Sequence, residues 1–192
     1  KIMRFFPPGV KLIDFSPNER YMVTWSNEPI QSGVPGSPFS AESEGHQIVI
    51  WDVLSGVLLR TFPSNPDKNA EGGPAKIMWP AFKWSPSGRY FARLTPGQGI
   101  SVYETPSMGL LDKKSIKIEG VRDFEWSPAT SGGGAESTGS AAGGGGDDKK
   151  RLRDELLAYW TPEVGNQPAR VTLMNVPSRS IARTKNIFQV SD

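Results

Sequence analysis

The chain has 192 residues, 36% hydrophobic and 22% charged, with a formal net charge of +2. That length suffices for one sizeable core, and so mild a charge does not by itself indicate nucleic-acid binding. The absence of cysteine excludes a disulfide framework and a thiolate metal site, and no apolar run approaches the roughly 18 residues of a membrane-spanning helix.

The first unit begins near residue 10. Residues 12–26, LIDFSPNERYMVTWS, read as two strands joined by a Ser-Pro turn, and the pattern returns as AFKWSPSGRYFARL at 81–94 and VRDFEWSP at 121–128. The aromatic before each Ser-Pro is Phe15, Trp84 or Trp126. The second interval, 42 residues, fits the roughly 40–45 residues of a four-stranded propeller blade. The first, 69 residues, is that period lengthened by residues 27–46, NEPIQSGVPGSPFSAESEGH. Its Pro, Gly, Ser and Glu without periodicity read as a loop.

Second strands follow as RYMVTWSNE, RYFARLTPG and ELLAYWTPE, with large residues on both faces, as covered sheets require. Third strands follow as QIVIWDVLSG, GISVYETPSM and RVTLMNVPSR. Trp51, Tyr103 and Met174 occupy equivalent positions there, and each strand ends in turn residues. VLLRTF at 57–62, SIKI at 115–118 and SIARTKNI at 180–187 complete the units.

The fold expected is therefore all-β: about three four-stranded antiparallel blades of a WD40-like β-propeller. Blade 1 spans about 10–62 with the loop insert 27–46, blade 2 about 77–118, and blade 3 about 121–187. Closure takes about four to eight blades, so residues 1–192 read as part of a larger ring with two apolar faces bare.

Residues 129–148 hold a Gly/Ser tract with almost nothing to bury, and disorder is expected there. Residues 147–154 could start a helical turn with Asp first. The repeat instead assigns Leu156–Trp160 to a strand.

Candidates for chemistry are few. His46, the single histidine, lies too close before Trp51-Asp52 for the His–Asp network of WD repeats and reads as a loop residue beside a strand. No nucleophile elbow, zinc ligand set or phosphate-cradling loop is present, so neither catalysis nor a metal or cofactor is expected. Asp147-Asp148 and Asp154-Glu155 alternate with bases and read as solvated faces. Arg89 and Arg93 read as structural. The basic clusters Lys149, Lys150, Arg151 and Arg153, then Lys113 and Lys114, then Arg179, Arg183 and Lys185 remain. They could contact RNA phosphates or an acidic protein surface, or simply solubilise exposed loops and edge strands.

The segments GVKLIDFSPNERYMVTWS, ISVYETPSMGLLDKKSIKIEGV, AYWTPE and PARVTLMNVPSRSIARTKNIF resemble the B-subunit family of eukaryotic translation initiation factor 3. The resemblance covers nearly the whole chain apart from the inserts at 27–46, 63–76 and 129–152. It implies a non-catalytic, cytoplasmic scaffold whose propeller docks on the small ribosomal subunit, touching its proteins or rRNA, and assembles with sister initiation-factor subunits. It implies no membrane, small-molecule substrate or cofactor. The family's RNA-recognition motif and helical tail have no counterpart here, so their binding residues do not transfer. Ser-Pro hairpins also occur in propellers that gate serine hydrolases, and an interaction propeller unrelated to translation would share the same repeat. These are the alternative readings.

Overall fold

A computed structural model describes residues 9–64, 78–95, 99–128 and 154–188. The expected disordered insert 129–148 lies outside the described residues, as does the expected helical turn at 147–154 except for Asp154, which is not helical. Three four-stranded antiparallel sheets follow in chain order, each strand paired with its sequence neighbour. Blade 1 comprises β1 (Val10–Phe15), β2 (Tyr21–Ser26), β3 (Ile48–Asp52) and β4 (Leu58–Phe62). Blade 2 comprises β5 (Lys83–Trp84), β6 (Tyr90–Thr95), β7 (Gly99–Glu104) and β8 (Gly109–Leu110). Blade 3 comprises β9 (Asp123–Trp126), β10 (Glu155–Thr161), β11 (Ala169–Val176) and β12 (Ile181–Ile187). Among the described residues no helix is long and apolar enough to cross a membrane.

The Ser-Pro turn owes its recurrence to hydrogen bonding. Ser16 Oγ accepts the Tyr21 amide at 3.0 Å and Ser85 Oγ accepts the Tyr90 amide at 3.1 Å. Both serines are buried, so each hydroxyl satisfies a donor that would otherwise be costly to enclose. Three residues on, Glu19 and Gly88 take positive φ, 57° and 71°. That closes the turn.

The repeat positions coincide in register. Phe15, Met22 and Trp51 are cross-strand neighbours in blade 1, as are Trp84, Phe91 and Tyr103 in blade 2, and Trp126, Leu157 and Met174 in blade 3. In blades 2 and 3 this row faces the preceding blade. Tyr21 stacks on Trp84 at 5.8 Å and Tyr90 on Trp126 at 6.2 Å. The Arg-Tyr of one unit therefore meets the Trp-Ser-Pro of the next. Arg20 and Arg89 each lie over their neighbouring tyrosine ring, at 5.4 and 5.5 Å. Aromatic stacks of this kind add roughly 0.5–1.5 kcal/mol beyond the area they bury.

Two seams hold the core. Val23, Ile48, Ile50 and Phe62 pack against Phe82, Phe91, Tyr103 and Met108 between blades 1 and 2. Ala92, Ile100, Val102 and Ile116 pack against Phe124, Leu157, Met174 and Val176 between blades 2 and 3.

Two elements differ from the sequence reading. The fourth strand of blade 2 is Gly109–Leu110, and SIKI contributes only the bridge of Ile116 to Ile100. The intervening Asp112 and Lys113 sit at positive φ, 53° and 56°, and turn the chain out of the sheet. The insert 27–46 is anchored: Ile30 (2% exposed) and Phe39 (8%) pack on Met22, Val49 and Trp51, covering part of the face that blades 2 and 3 turn to a preceding blade. The first strand's part of that face stays open, with Phe15 49% exposed.

Candidate functional site

Of the nine basic residues singled out in the sequence, Lys149, Lys150, Arg151 and Arg153 lie outside the described residues. Lys113, Lys114 and Arg179 come together at one end of the seam between blades 2 and 3. Lys113 closes a short 3-10 turn, Leu111–Lys113, and both lysines are exposed. Arg179 sits in the β11–β12 turn at φ 58°. Its Nη2 donates to the carbonyls of Leu111, at 2.9 Å, and Lys114, at 2.8 Å, and its Nε lies 3.2 Å from Asp112. The guanidinium of Arg179 is thus a strut between blades, and the two lysines project beyond it.

The same turn position serves both seams. Gly56, Met108 and Arg179 each fall five residues after the repeat positions Trp51, Tyr103 and Met174, and all three have positive φ. Only glycine adopts this conformation without cost. The side chains of Met108 and Arg179 both reach back to the preceding blade, Met108 being buried in the first seam.

Asp154, which directly follows the basic stretch 149–153, accepts a hydrogen bond from Ser178 Oγ, next to Arg179. Asp154 thus sits at the end of the seam where Lys113 and Lys114 are exposed. Arg183 and Lys185 lie elsewhere, along the outer strand β12, exposed throughout.

Several other ionisable groups are occupied within the fold. Lys83 pairs with Asp123 at 2.9 Å, with Glu125, and with the Phe124 carbonyl. Burial disfavours its charge, yet these acids raise its pKa above the ordinary lysine value. Arg89 and Arg93 are structural, as their strand positions suggested. Arg89 pairs with Glu155 at 3.0 Å, and Arg93 donates to the Pro63 carbonyl at 3.1 Å. Glu155, read from sequence as a solvated acid, is instead held by Arg89 and Ser87 across the seam. Arg60, in β4, is a further seam residue. It donates to the Met108 carbonyl and lies over the rings of Phe62, at 4.9 Å, and Tyr103, at 5.3 Å. The Arg-Thr shared by LLRTF and IARTKNI was the available signal.

His46 is a loop residue beside a strand: its Nδ1 lies 2.7 Å from Thr61 Oγ1, which donates on to Ser43. Burial lowers its pKa, with help from Arg93 and Arg60. Trp51 Nε1 donates to Thr24 Oγ1 at 3.1 Å inside the blade. Among the described residues no cluster of His, Asp or Glu could hold a metal ion.

Repeated four-stranded sheets, joined by aromatic stacks and arginine struts, with charge left at the turns, define a segment of a β-propeller. No protein-family model matches the sequence. Curated relatives do: the chain is 55% identical over its whole length to the B subunit of eukaryotic translation initiation factor 3 from Mycosarcoma maydis, and 47% identical over 98% of its length to that of Schizosaccharomyces pombe. It covers 26% and 25% of those proteins, about a quarter of their length. A crystal structure of a eukaryotic initiation factor matches 98% of the chain and 37% of its own with a TM-score of 0.58 at 20% identity, a likeness of fold. The chain belongs to the B-subunit family of eukaryotic translation initiation factor 3.

Proposed function

We propose that the chain is a non-catalytic, cytoplasmic scaffold segment of translation initiation factor 3, docking on the small ribosomal subunit alongside sister subunits. The observation that carries this reading is the whole-length identity to B-subunit proteins of that factor. The geometry supports a scaffold. Seam arginines and acids are spent on holding blades together, whereas Lys113 and Lys114 are exposed on the strut of Arg179. These two lysines, together with Lys149, Lys150, Arg151 and Arg153, which lie outside the described residues, are the contact proposed for rRNA phosphates or an acidic ribosomal protein, since cations meeting phosphates gain affinity by releasing counterions. The names of the relatives give the hydrolase-accessory alternative no support.

The test is co-sedimentation of the full-length protein with purified small ribosomal subunits across a salt series. Lys113 and Lys114 are changed to Ser in one variant and the four cations of 149–153 in another. Docking through this end predicts salt-sensitive binding that weakens in both variants, with a shallower salt slope. Binding unchanged in both would remove the contact assignment. Absence of binding by the folded parent at every salt concentration, alone and within the assembled factor, would refute docking.

A further inference from the structure

We propose that Arg183 clamps a further blade onto the outer face of blade 3 and is not a nucleic-acid contact. In blade 1, Arg60 stands opposite Ile50, and an irregularity follows in which Trp51 pairs with Leu58. In blade 3, Arg183 stands opposite Leu173, with the same irregularity before Met174 pairs with Ile181. β4 and β12 thus carry the same Arg-Thr at the same place in the same bulged pairing, and a bulge re-aims the side chains around it.

Arg60 shows what that position does. It crosses the seam, lies over the Tyr103 ring and donates to the Met108 carbonyl, the residue at positive φ in the third turn of the next blade. Arg183 stands on the equivalent face, opposite to the row of Leu157 and Met174 that packs on blade 2. That face is otherwise ready for a sheet. Trp160 occupies the register position of Trp25 and is 41% exposed. The occupant is a β-sheet blade from the part of the longer protein that this chain does not span, because both existing seams are built by this same face meeting a sheet. Its chemistry is specified: an aromatic ring at the position of Tyr103 and an outward main-chain carbonyl at the position of Met108. The ring must come from that blade, since Lys185 stands where blade 1 supplies Phe62.

The experiment compares Arg183→Ala and Arg183→Lys in the full-length protein, reading thermal unfolding and affinity for small ribosomal subunits. A seam clamp predicts that both variants lower Tm by several degrees, with affinity at fixed salt unchanged. Lysine fails to rescue because it lacks the planar face and fork of the guanidinium. A phosphate contact predicts the opposite, an unchanged Tm, weaker binding for Ala, and near-parental binding for Lys. Either an unchanged Tm in both variants or full rescue by Lys overturns the proposal.

Discussion

Arg179 and Asp112 face each other across the seam between blades 2 and 3 at 3.2 Å, and both hold left-handed backbone conformations, at φ 58° and 53°. Each non-glycine residue there costs about 1–2 kcal/mol, so contacts must offset the strain. The ion pair is a weak candidate, because the Asp112 side chain is 61% exposed and such pairs contribute about 0–1 kcal/mol. The two carbonyls that accept from Nη2 are the stronger one, at about 1.5–3 kcal/mol for bonds from a charged donor. Arg179→Ala should therefore lower stability by about 2 kcal/mol, and Asp112→Asn by less than about 0.5 kcal/mol. Arg179→Gly should cost about 1 kcal/mol less than Arg179→Ala, because glycine relieves the strain. Urea midpoints of the three variants check the order; equal losses for Ala and Gly would show that the backbone is not strained.

The insert 27–46 offers a second test. Ile30 and Phe39 are buried against Met22, Val49 and Trp51, whereas Val34, between them in sequence, is exposed. Phe39→Ala should cost about 3–5 kcal/mol and Ile30→Ala about 2–5 kcal/mol. Val34→Ala should be nearly neutral. If all three were neutral by urea titration, the insert would be an unanchored loop.

What could be read beforehand follows from how local each interaction is. The Ser-Pro turn and the alternation of Ile48 and Ile50 are local, so the blades were legible. Trp84 and Trp126 recur because each seam stacks the same ring on a tyrosine of the preceding blade. Ile30 and Phe39 were not legible: two apolar residues nine apart among Pro and Gly have no period, and their burial depends on a sheet face that only folding presents. Arg179 was legible as a cation but not as a strut. Its partners are main-chain carbonyls of Leu111 and Lys114, which leave no trace in side-chain identity. Glu155 was misread because its partners, Ser87 and Arg89, are more than sixty residues away in sequence.

Gly99, the first residue of β7, has φ 86°, and a Cβ there would lie 2.3 Å from the Ile116 carbonyl oxygen. That oxygen accepts the Ile100 amide in the bridge joining Ile116 to the sheet, so it cannot withdraw without losing the bond. Gly33 has φ 76° and open space around it. Gly33→Ala carries only the backbone penalty of about 1–2 kcal/mol, and Gly99→Ala adds a main-chain clash to it. Thermal melts should rank Gly99→Ala well below Gly33→Ala. Equal melting temperatures would mean that the Ile116 segment yields freely.

Phe62 stands between two cations. The guanidinium carbons of Arg60 and Arg93 lie 4.9 and 5.0 Å from its ring centre, and among the described residues neither arginine has a carboxylate partner. His46, beside this pair, has a pKa below the ordinary 6.5, first through burial and then through repulsion by Arg93 and Arg60. The folded state therefore binds the imidazole proton more weakly than the unfolded state. Above pH 6.5 His46 is mostly neutral in both states and contributes little pH dependence. As pH falls through 6.5, the unfolded chain takes up the proton first, and stability drops until the folded state is protonated as well. Asp52 is a carboxylate held below its ordinary 3.8 by the Ser55 amide, so its contribution is lost at lower pH and does not overlap this window. Denaturant midpoints measured downward from neutral pH should therefore decline first in a step that His46→Gln abolishes. Arg93→Met, which removes one of the repelling charges, should make that step smaller. If His46→Gln left the profile unchanged near pH 6, His46 would titrate alike in both states and the electrostatic coupling across Phe62 would be absent.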